Sequence, residues 1–198
     1  MKRHAPATDR NREPILAVLR DVLPGAGVVL EIAAGSGEHA VFCAAALPGL
    51  GWQPTDPDHE SLSSIAAHRA EVALTNLRAP IRVDVTEAGW ARDLAANAFV
   101  CINMIHVAPW EACLGLLAGA SALLAPGSPL YLYGPYRIEG AFTAASNADF
   151  DASLRARDPR WGVRDLDEVT RAAEAVGFKR ERVVAMPANN HSVVFRRV

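Results

Sequence analysis

The chain has 198 residues, of which 51% are hydrophobic and 21% charged, and its formal net charge is −2. This length favours one domain with a sizeable core, and the composition is ordinary for a globular protein. The near-neutral charge gives no basic footprint for nucleic acid, and the most apolar region, 98–133, is interrupted by prolines and polar residues, which argues against a membrane span.

The cysteines and the N-terminus indicate a reducing compartment. The three cysteines form no CxxC pair and lie in apolar contexts, so we expect free core thiols and no zinc site. The first residues lead into a polar stretch without the apolar core of a signal peptide. The expectation is a cytoplasmic protein that binds a small molecule and uses no metal, membrane or nucleic acid, with a homodimer left open.

Segment 1–24 is predicted to form an arm and a helix. Residues 1–10 are assigned to the arm, and the helix is expected to begin at Asn11, with Pro14 tolerated in its first turn. Apolar residues give the helix one buried face, and Pro24 with the following glycine ends it.

The next stretch, 28–40 (VVLEIAAGSGEHA), predicts the strand, glycine turn and helix that open a nucleotide-binding βαβ unit. Glu31 ends the strand, where a carboxylate would repel a pyrophosphate but suit a cationic ligand group. The stretch resembles motif I of class I methyltransferases that use S-adenosylmethionine (SAM), acid-x-Gly-x-Gly-x-Gly. Gly35 and Gly37 match this motif, and Ala33 replaces its first glycine. The alternative is a turn that only lets the helix pack closely on its strand.

Three predicted strands end in a carboxylate: Glu31, Asp56 and Asp84. Because ligands of open parallel sheets bind outside the carboxyl ends of the strands, we expect the three acids to border one site. An acid at the end of strand two, Asp56, can accept hydrogen bonds from both hydroxyls of a ribose; the alternative is a turn acid. The methyltransferase resemblance implies that Asp84 lies beside the adenine amino group, with Val85 supplying a backbone contact.

The second half of the chain completes an α/β pattern. Segment 138–165 is long for a plain connection and is expected to be a lid-like insertion with a helix over 146–157. Two strand patterns, 178–186 and 191–197, are so close in sequence that they must pair antiparallel. We therefore predict a Rossmann-like, seven-stranded, mostly parallel sheet with a C-terminal antiparallel hairpin and helices on both faces, in a single domain over 1–198.

Polar residues after strands four and five are candidates for the acceptor side. His106 is the first candidate for a general base, because histidine titrates near neutral pH; the alternative is a buried histidine bonded to a backbone carbonyl. Tyr136 is expected to orient a polar acceptor, the alternative being a loop residue packed on the lid. Asn103 joins the predicted cofactor site, and Asn11 is expected by resemblance to close over the cofactor.

Long motifs outside the glycine turn sharpen the resemblance. They are 7–16 (ATDRNREPIL), 103–110 (NMIHVAPW), 133–136 (YGPY), 146–162 (SNADFDASLRARDPRWG) and 186–190 (MPANN). Together they resemble the methyltransferase-like protein 26 family over nearly the whole chain. That resemblance implies SAM as cofactor and leaves the acceptor open.

The leading function hypothesis is therefore a SAM-dependent methyltransferase with a small-molecule acceptor. A second hypothesis is an NAD(P)-dependent oxidoreductase with a Rossmann site, which Glu31 and the missing third glycine disfavour. A third is a non-catalytic protein that keeps the cofactor pocket and acts through a partner surface.

Overall fold

A computed structural model describes all residues, 1–198, as an α/β structure. Two short 3-10 helices accompany the α-helices and strands: Met104–His106 and Pro187–Asn189. In chain order the other elements are α1 (Pro6–Val22), β1 (Gly27–Ile32), α2 (Glu38–Ala46), β2 (Leu50–Asp56), α3 (His59–Ala70), β3 (Ile81–Arg82), β4 (Ala98–Ile102), α4 (Trp110–Leu123), β5 (Pro129–Gly134), β6 (Tyr136–Ile138), β7 (Ala141–Phe142), α5 (Ala145–Arg157), β8 (Arg164–Asp165), α6 (Leu166–Ala175), β9 (Phe178–Met186) and β10 (Asn190–Arg197).

The main sheet has seven strands in the order β3-β2-β1-β4-β5-β10-β9. The first five strands pair in parallel, whereas β10 is antiparallel to both β5 and β9. This arrangement confirms the predicted Rossmann-like fold with its antiparallel C-terminal hairpin. The carboxyl ends of the parallel strands therefore meet at one edge of the sheet, where ligands of such folds bind.

Each face of the sheet has its own hydrophobic core, because successive side chains of a strand point to opposite faces. Leu30 and Ile32 of β1 pack into the core covered by α4 and α6, and Val29 packs into the core covered by α1 and α2. Strands that are buried on both faces have nearly continuous apolar sequences, which is why β1 and β4 could be predicted from the sequence. No helix is both long enough and apolar enough to cross a membrane.

Helix α1 begins at Pro6, earlier than the predicted start at Asn11. Pro6 occupies the first turn, where its fixed φ suits a helix and its missing N–H is not needed, so Pro14 lies in the helix interior instead. Half of the segment predicted as an arm is therefore helical. As a result Asn11 sits within α1 and is buried.

The lid-like segment 138–165 has its own small sheet, which the sequence analysis did not predict. Its strands lie in the order β7-β6-β8. Helix α5, which follows β7, spans Ala145–Arg157 and so agrees with the helix predicted over 146–157. Asp165 joins this insertion to α6: its carboxylate accepts from the Asp167 N–H at 3.0 Å, as an N-cap, and from the Gly140 N–H at 2.9 Å.

We expect Asp165→Ala to lower the free energy of unfolding by about 1–2 kcal/mol, because α6 loses its cap and the insertion loses a tether. Chemical denaturation measures the change. Asp149→Ala, on the exposed side of α5, is the matched control and should change stability by less than about 0.5 kcal/mol. Equal effects of the two substitutions would contradict the capping role.

Candidate functional site

A turn over residues 33–37, the glycine loop, connects β1 to α2 at the carboxyl edge of the sheet. Ala33, Gly35 and Gly37 all have left-handed backbones, with φ of 55°, 59° and 93°. A Cβ atom on Gly37 would lie 2.8 Å from the Cα of Ile65 in α3, so this glycine also permits close helix packing. The loop thus needs left-handed residues at all three motif positions.

Ala33 is the one residue of the loop that bears strain. A left-handed backbone costs a residue with a Cβ roughly 1–2 kcal/mol, a penalty that glycine avoids. Alanine at the position of the first motif glycine adds little volume. Its energetic cost lies instead in the left-handed backbone conformation.

Asp56, at the end of β2, holds the glycine loop in place. Its Oδ2 accepts a hydrogen bond from the Gly35 N–H at 2.9 Å, and its Oδ1 accepts from the Asp58 N–H at 3.0 Å. Asp58 in turn is the N-cap of α3, since its carboxylate accepts a hydrogen bond from the Ser61 N–H. Burial raises the pKa of Asp56. The two backbone hydrogen bonds fix the Asp56 carboxylate beside the loop.

Glu31 is a buried carboxyl group directly before the loop. It is 2% exposed, and its Oε2 accepts a 2.6 Å hydrogen bond from the Trp52 indole N–H. Burial raises the pKa of Glu31 to about 7; the Trp52 bond opposes this shift, and the charge of Asp56 adds to it. A positive ligand group nearby would favour the ionised form and offset part of the burial penalty.

Asp84 and Val85 border a cavity of about 270 Å³, here called the Asp84 cavity. Asp84 Oδ1 accepts from the Thr86 hydroxyl at 2.6 Å and the Thr86 N–H at 2.9 Å, and these bonds lower the pKa of Asp84. The remaining walls are mostly apolar, which suits a flat ring that carries a hydrogen-bond donor. They are formed by Ile32, Ala33, Pro57, Val83, Met104, Ala108, Pro109 and Ala112.

A second cavity, of about 390 Å³, lies under α5 and is here called the asparagine cavity. Asparagines from α1, the end of β4, α5 and the β9–β10 turn line it, together with one tyrosine and one serine. The asparagines are Asn11, Asn103, Asn147, Asn189 and Asn190. Asn11 and Asn103, which the sequence analysis assigned to the cofactor, thus border this cavity and not the Asp84 cavity.

Asn147 was not predicted as a site residue, and the Asn189-Asn190 pair is typical of a tight turn. That turn exists, with positive φ at Asn189 and at Ala188, whereas Asn190 is extended. A turn role and a cavity role coexist here, because the loop between β9 and β10 ends at the same sheet edge as β5. The chain has seven asparagines, and the five that line the cavity come from four separate segments, so the adjacent pair Asn189-Asn190 was the only local signal.

His106 and Tyr136 lie below this edge, with no exposed surface. The His106 ring accepts the Arg164 N–H at Nδ1, at 3.2 Å, so the proton of the neutral ring sits on Nε2. Burial, with a smaller effect of Arg164, lowers the pKa of His106 to about 3. The two rings meet edge-on at 5.0 Å, and the Tyr136 hydroxyl is buried without a hydrogen-bond partner. This geometry resembles the buried-histidine alternative, and the catalytic roles of both residues stay predictions.

Residues 2–5 form a strap, the N-terminal strap, across the start of α2 and one side of α3. Glu38 accepts hydrogen bonds from the Ala5 N–H and pairs with the His4 ring, both at 2.7 Å. The Arg3 N–H donates to Ser64, and its guanidinium contacts Asp58. The strap therefore lies next to the glycine loop, a placement that the sequence analysis did not predict.

Comparisons with known proteins agree with this architecture. A family model described as a protein of unknown function (DUF938) matches residues 2–197. Among solved structures, the mitomycin 7-O-methyltransferase MmcR has a TM-score of 0.80 at 17% identity, over 97% of this chain and 54% of that one.

Two further structures have the same fold. An O-methyltransferase family 2 protein from Planctomyces limnophilus, in complex with apigenin, has a TM-score of 0.76 at 17% identity, over 94% of this chain and 62% of that one. CalO1, a methyltransferase in calicheamicin biosynthesis in its SAH-bound form, has a TM-score of 0.72 at 18% identity, over 94% and 54%. This chain thus spans 54–62% of the length of these three proteins, and the likeness shows a shared fold.

We expect Ala33→Gly to raise the free energy of unfolding by about 0.5–1 kcal/mol, because relief of the left-handed strain exceeds the added flexibility of the unfolded chain. Ala45→Gly, at an exposed position inside α2, is the control and should lower stability by about 1 kcal/mol. Urea denaturation of both variants measures the direction of each change in the free energy of unfolding. A loss of stability in Ala33→Gly as large as that in the control would show that the backbone of Ala33 is not strained.

We expect Glu31→Gln to stabilise the protein without ligand, increasingly as the pH rises from about 4.5 to about 7. The pKa of Glu31 is higher in the native state, about 7, than the value of 4.5 taken for the unfolded chain. The protonated carboxyl therefore stabilises the fold fully below pH 4.5, and this contribution is lost as the pH rises through 7. Glutamine still accepts from Trp52 and never ionises. The gain over wild type should reach up to about 3 kcal/mol above pH 7.

The matched control is Glu111→Gln on the exposed start of α4. Stability is measured by denaturation at a series of pH values. A difference between Glu31→Gln and wild type that does not change with pH would show that Glu31 ionises normally in the native protein.

Proposed function

We propose that this chain, which belongs to DUF938, a family of proteins of unknown function, catalyses SAM-dependent methyl transfer to a small molecule. The observation that carries the proposal is the set of three carboxylates, Glu31, Asp56 and Asp84, at the ends of neighbouring strands around one glycine loop. SAM offers a matching group to each: an ammonium, a ribose diol and an adenine amino group. The methyltransferase folds of the solved structures support this assignment.

Asp56 has the hydrogen-bonding capacity that a ribose needs. Each of its oxygens accepts one backbone N–H, and a carboxylate oxygen has two acceptor sites, so both oxygens keep one site for a hydroxyl. The bonds from Gly35 and Asp58 also fix the orientation of the carboxylate. We therefore assign Asp56 to the ribose.

The Asp84 cavity has the composition that an adenine ring needs. Its walls are mostly apolar, and Asp84 Oδ2 is left to accept a hydrogen bond because both Thr86 bonds go to Oδ1. Val85 lies in the same wall; its carbonyl packs against Gly115 of α4, so its N–H is the backbone group that we propose contacts the ring edge. Asp84 and Val85 are therefore proposed as the adenine contacts.

The glycine loop and Glu31 remain for the amino-acid end of the cofactor. The left-handed backbones of Ala33, Gly35 and Gly37 leave room for a ligand to lie directly on the chain. Glu31, whose pKa is about 7, supplies negative charge immediately before the loop when a cationic ligand group favours its ionised form. Asn11 and Asn103 border the neighbouring asparagine cavity, and we assign them to the boundary between cofactor and acceptor.

When bound, SAM supplies an activated methyl group, and the chain contributes position and shelter from water. His106 is neutral at physiological pH because its pKa is about 3. We propose that its ring acts as a positioning group: it accepts the Arg164 N–H and thereby holds β8 against the end of β4. Tyr136 packs on that ring and supports the insertion that covers the asparagine cavity.

The finer family assignment is a separate proposal. The long motifs at 103–110, 146–162 and 186–190 support membership of the methyltransferase-like protein 26 family. In the structure, each of these motifs contributes residues to the asparagine cavity. This shared location supports a common acceptor pocket within such a family.

Isothermal titration with S-adenosylhomocysteine, the demethylated product of SAM, tests the function. We expect binding to the wild type, and at least about tenfold weaker binding to Asp56→Asn, because a hydrogen bond to a charged group contributes roughly 1.5–3 kcal/mol. Asp93→Asn, at an exposed position away from the loop, should bind like wild type.

Titration with NADH separates the alternatives. We expect no binding, because Glu31 disfavours a pyrophosphate on the glycine loop. Binding of NADH without binding of S-adenosylhomocysteine would replace the methyltransferase with the oxidoreductase. A thermal unfolding curve for each variant separates loss of the pocket from loss of the fold.

A further inference from the structure

We infer that the asparagine cavity takes an uncharged acceptor that presents hydroxyl, carbonyl or amide groups and one apolar face. This inference deepens the proposed methyl transfer and rests on it. The cavity, of about 390 Å³, is in the size range of small-molecule sites. None of its twelve lining residues carries a formal charge at neutral pH, although the chain as a whole is 21% charged.

Two ion pairs lie close in sequence to the lining, and Arg10, Arg137 and Asp149, which are also close in sequence, are not among the lining residues. Arg155 of α5 pairs with Asp151 at 2.7 Å, on the same helix. On α1, Arg12 pairs with Asp9 and lies over the ring of Phe42. These side chains therefore compensate one another and do not supply a counter-charge for a ligand.

A charged acceptor would consequently lose its water without gaining an ionic partner. Burial of an unpaired charge is far more costly than burial of a hydrogen-bonded neutral group. An acceptor with a carboxylate, phosphate or ammonium group inside the cavity is therefore disfavoured. A neutral polar group loses less hydration, and amide side chains can return its hydrogen bonds.

The cavity offers both kinds of hydrogen-bonding group. Asn147 is 4% exposed, and its amide nitrogen donates to Thr143 at 2.9 Å and to the Asn189 carbonyl at 3.0 Å. Both amide hydrogens are thereby used, and Oδ1 remains as an acceptor. Burial raises the pKa of Tyr133, so its hydroxyl stays protonated and can donate. Neutral groups that both donate and accept match this lining.

The remaining wall is apolar and includes an aromatic ring. Phe150 of α5 is 38% exposed, which is unusual for a large apolar side chain, and it lines the cavity with Val107 and Pro135. A flat ring of the acceptor can stack on this side while its polar groups contact the asparagines. The acceptor class is therefore a neutral aromatic or similarly flat compound.

Three probes with the same phenol ring test the inference: 4-hydroxybenzamide, which is neutral, 4-hydroxybenzoate, which is an anion, and tyramine, which is a cation. Their binding is measured by ligand-observed NMR near neutral pH, with the protein saturated by S-adenosylhomocysteine. We expect the amide to bind at least about tenfold more tightly than either ion.

Two charge variants sharpen the test. Asn189→Asp adds a carboxylate at the rim of the cavity and keeps the Ser146 contact, because the serine hydroxyl can donate to it. We expect this variant to bind tyramine more tightly than wild type does. Asn97→Asp adds the same charge at the opposite edge of the sheet, where Oδ1 still accepts the Val28 N–H, and should leave the preference unchanged.

Equal binding of the amide and either ion to wild type would overturn the inference, as would failure of all three probes at millimolar concentration. An equal gain of tyramine binding in both variants would also overturn it, since the effect would then be one of net charge. These outcomes leave the cofactor site intact. Failure of S-adenosylhomocysteine itself to bind is read separately and would overturn the proposed function.

Discussion

The hydrogen bond from the Gly35 N–H to Asp56 is the contact on which the candidate site depends. It ties the glycine loop after β1 to the end of β2, and a second bond, from the Ala34 N–H to the Thr55 carbonyl, runs beside it at 2.8 Å. A loop with three left-handed residues has little intrinsic preference for one shape. The two bonds to β2 select that shape and hold the loop against the end of the neighbouring strand.

The segment between β4 and α4 forms a wall shared by the two cavities. Asn103 and Val107 line the asparagine cavity, whereas Met104 and Ala108 line the Asp84 cavity. Beneath this wall His106 contacts the insertion, and the absence of a side chain on Gly134 makes room for its ring: a Cβ there would lie 2.5 Å from Nε2. The Asp84 cavity and the asparagine cavity are thus connected through a few buried contacts.

The sheet and its acidic edge could be predicted because their signals are local. Each signal, whether an apolar run, the glycine turn or the carboxylate at or just after the end of β1, β2 or β3, lies within a few residues of the chain. The asparagine cavity could not be predicted in this way, since Asn11, Asn103, Asn147 and Asn189 are far apart in sequence and meet only after folding. Short strands such as β7 carry too few residues for any periodic pattern.

Burial was the other quantity that the sequence did not reveal. His106 was placed correctly after β4, but whether it titrates depends on the insertion that covers it. The strain at Ala33 was hidden for a related reason, because the residue type alone does not state its backbone angle. In both cases the residue was identified from its neighbours in sequence, and its chemistry was set by neighbours in space.

The N-terminal strap has a practical consequence for handling the protein. The strap runs along α3: His4 and Ala5 contact Glu38 beside the glycine loop, whereas Lys2 pairs with Glu71 at the other end of that helix. Residues added before Met1 therefore start away from the loop, but a tag that pulls the strap off α3 would remove the contacts with Glu38. The other end of the chain is different: Val198 donates its N–H to Gly177, at the edge of the sheet away from the loop. Affinity tags and surface attachment therefore belong at the C-terminus.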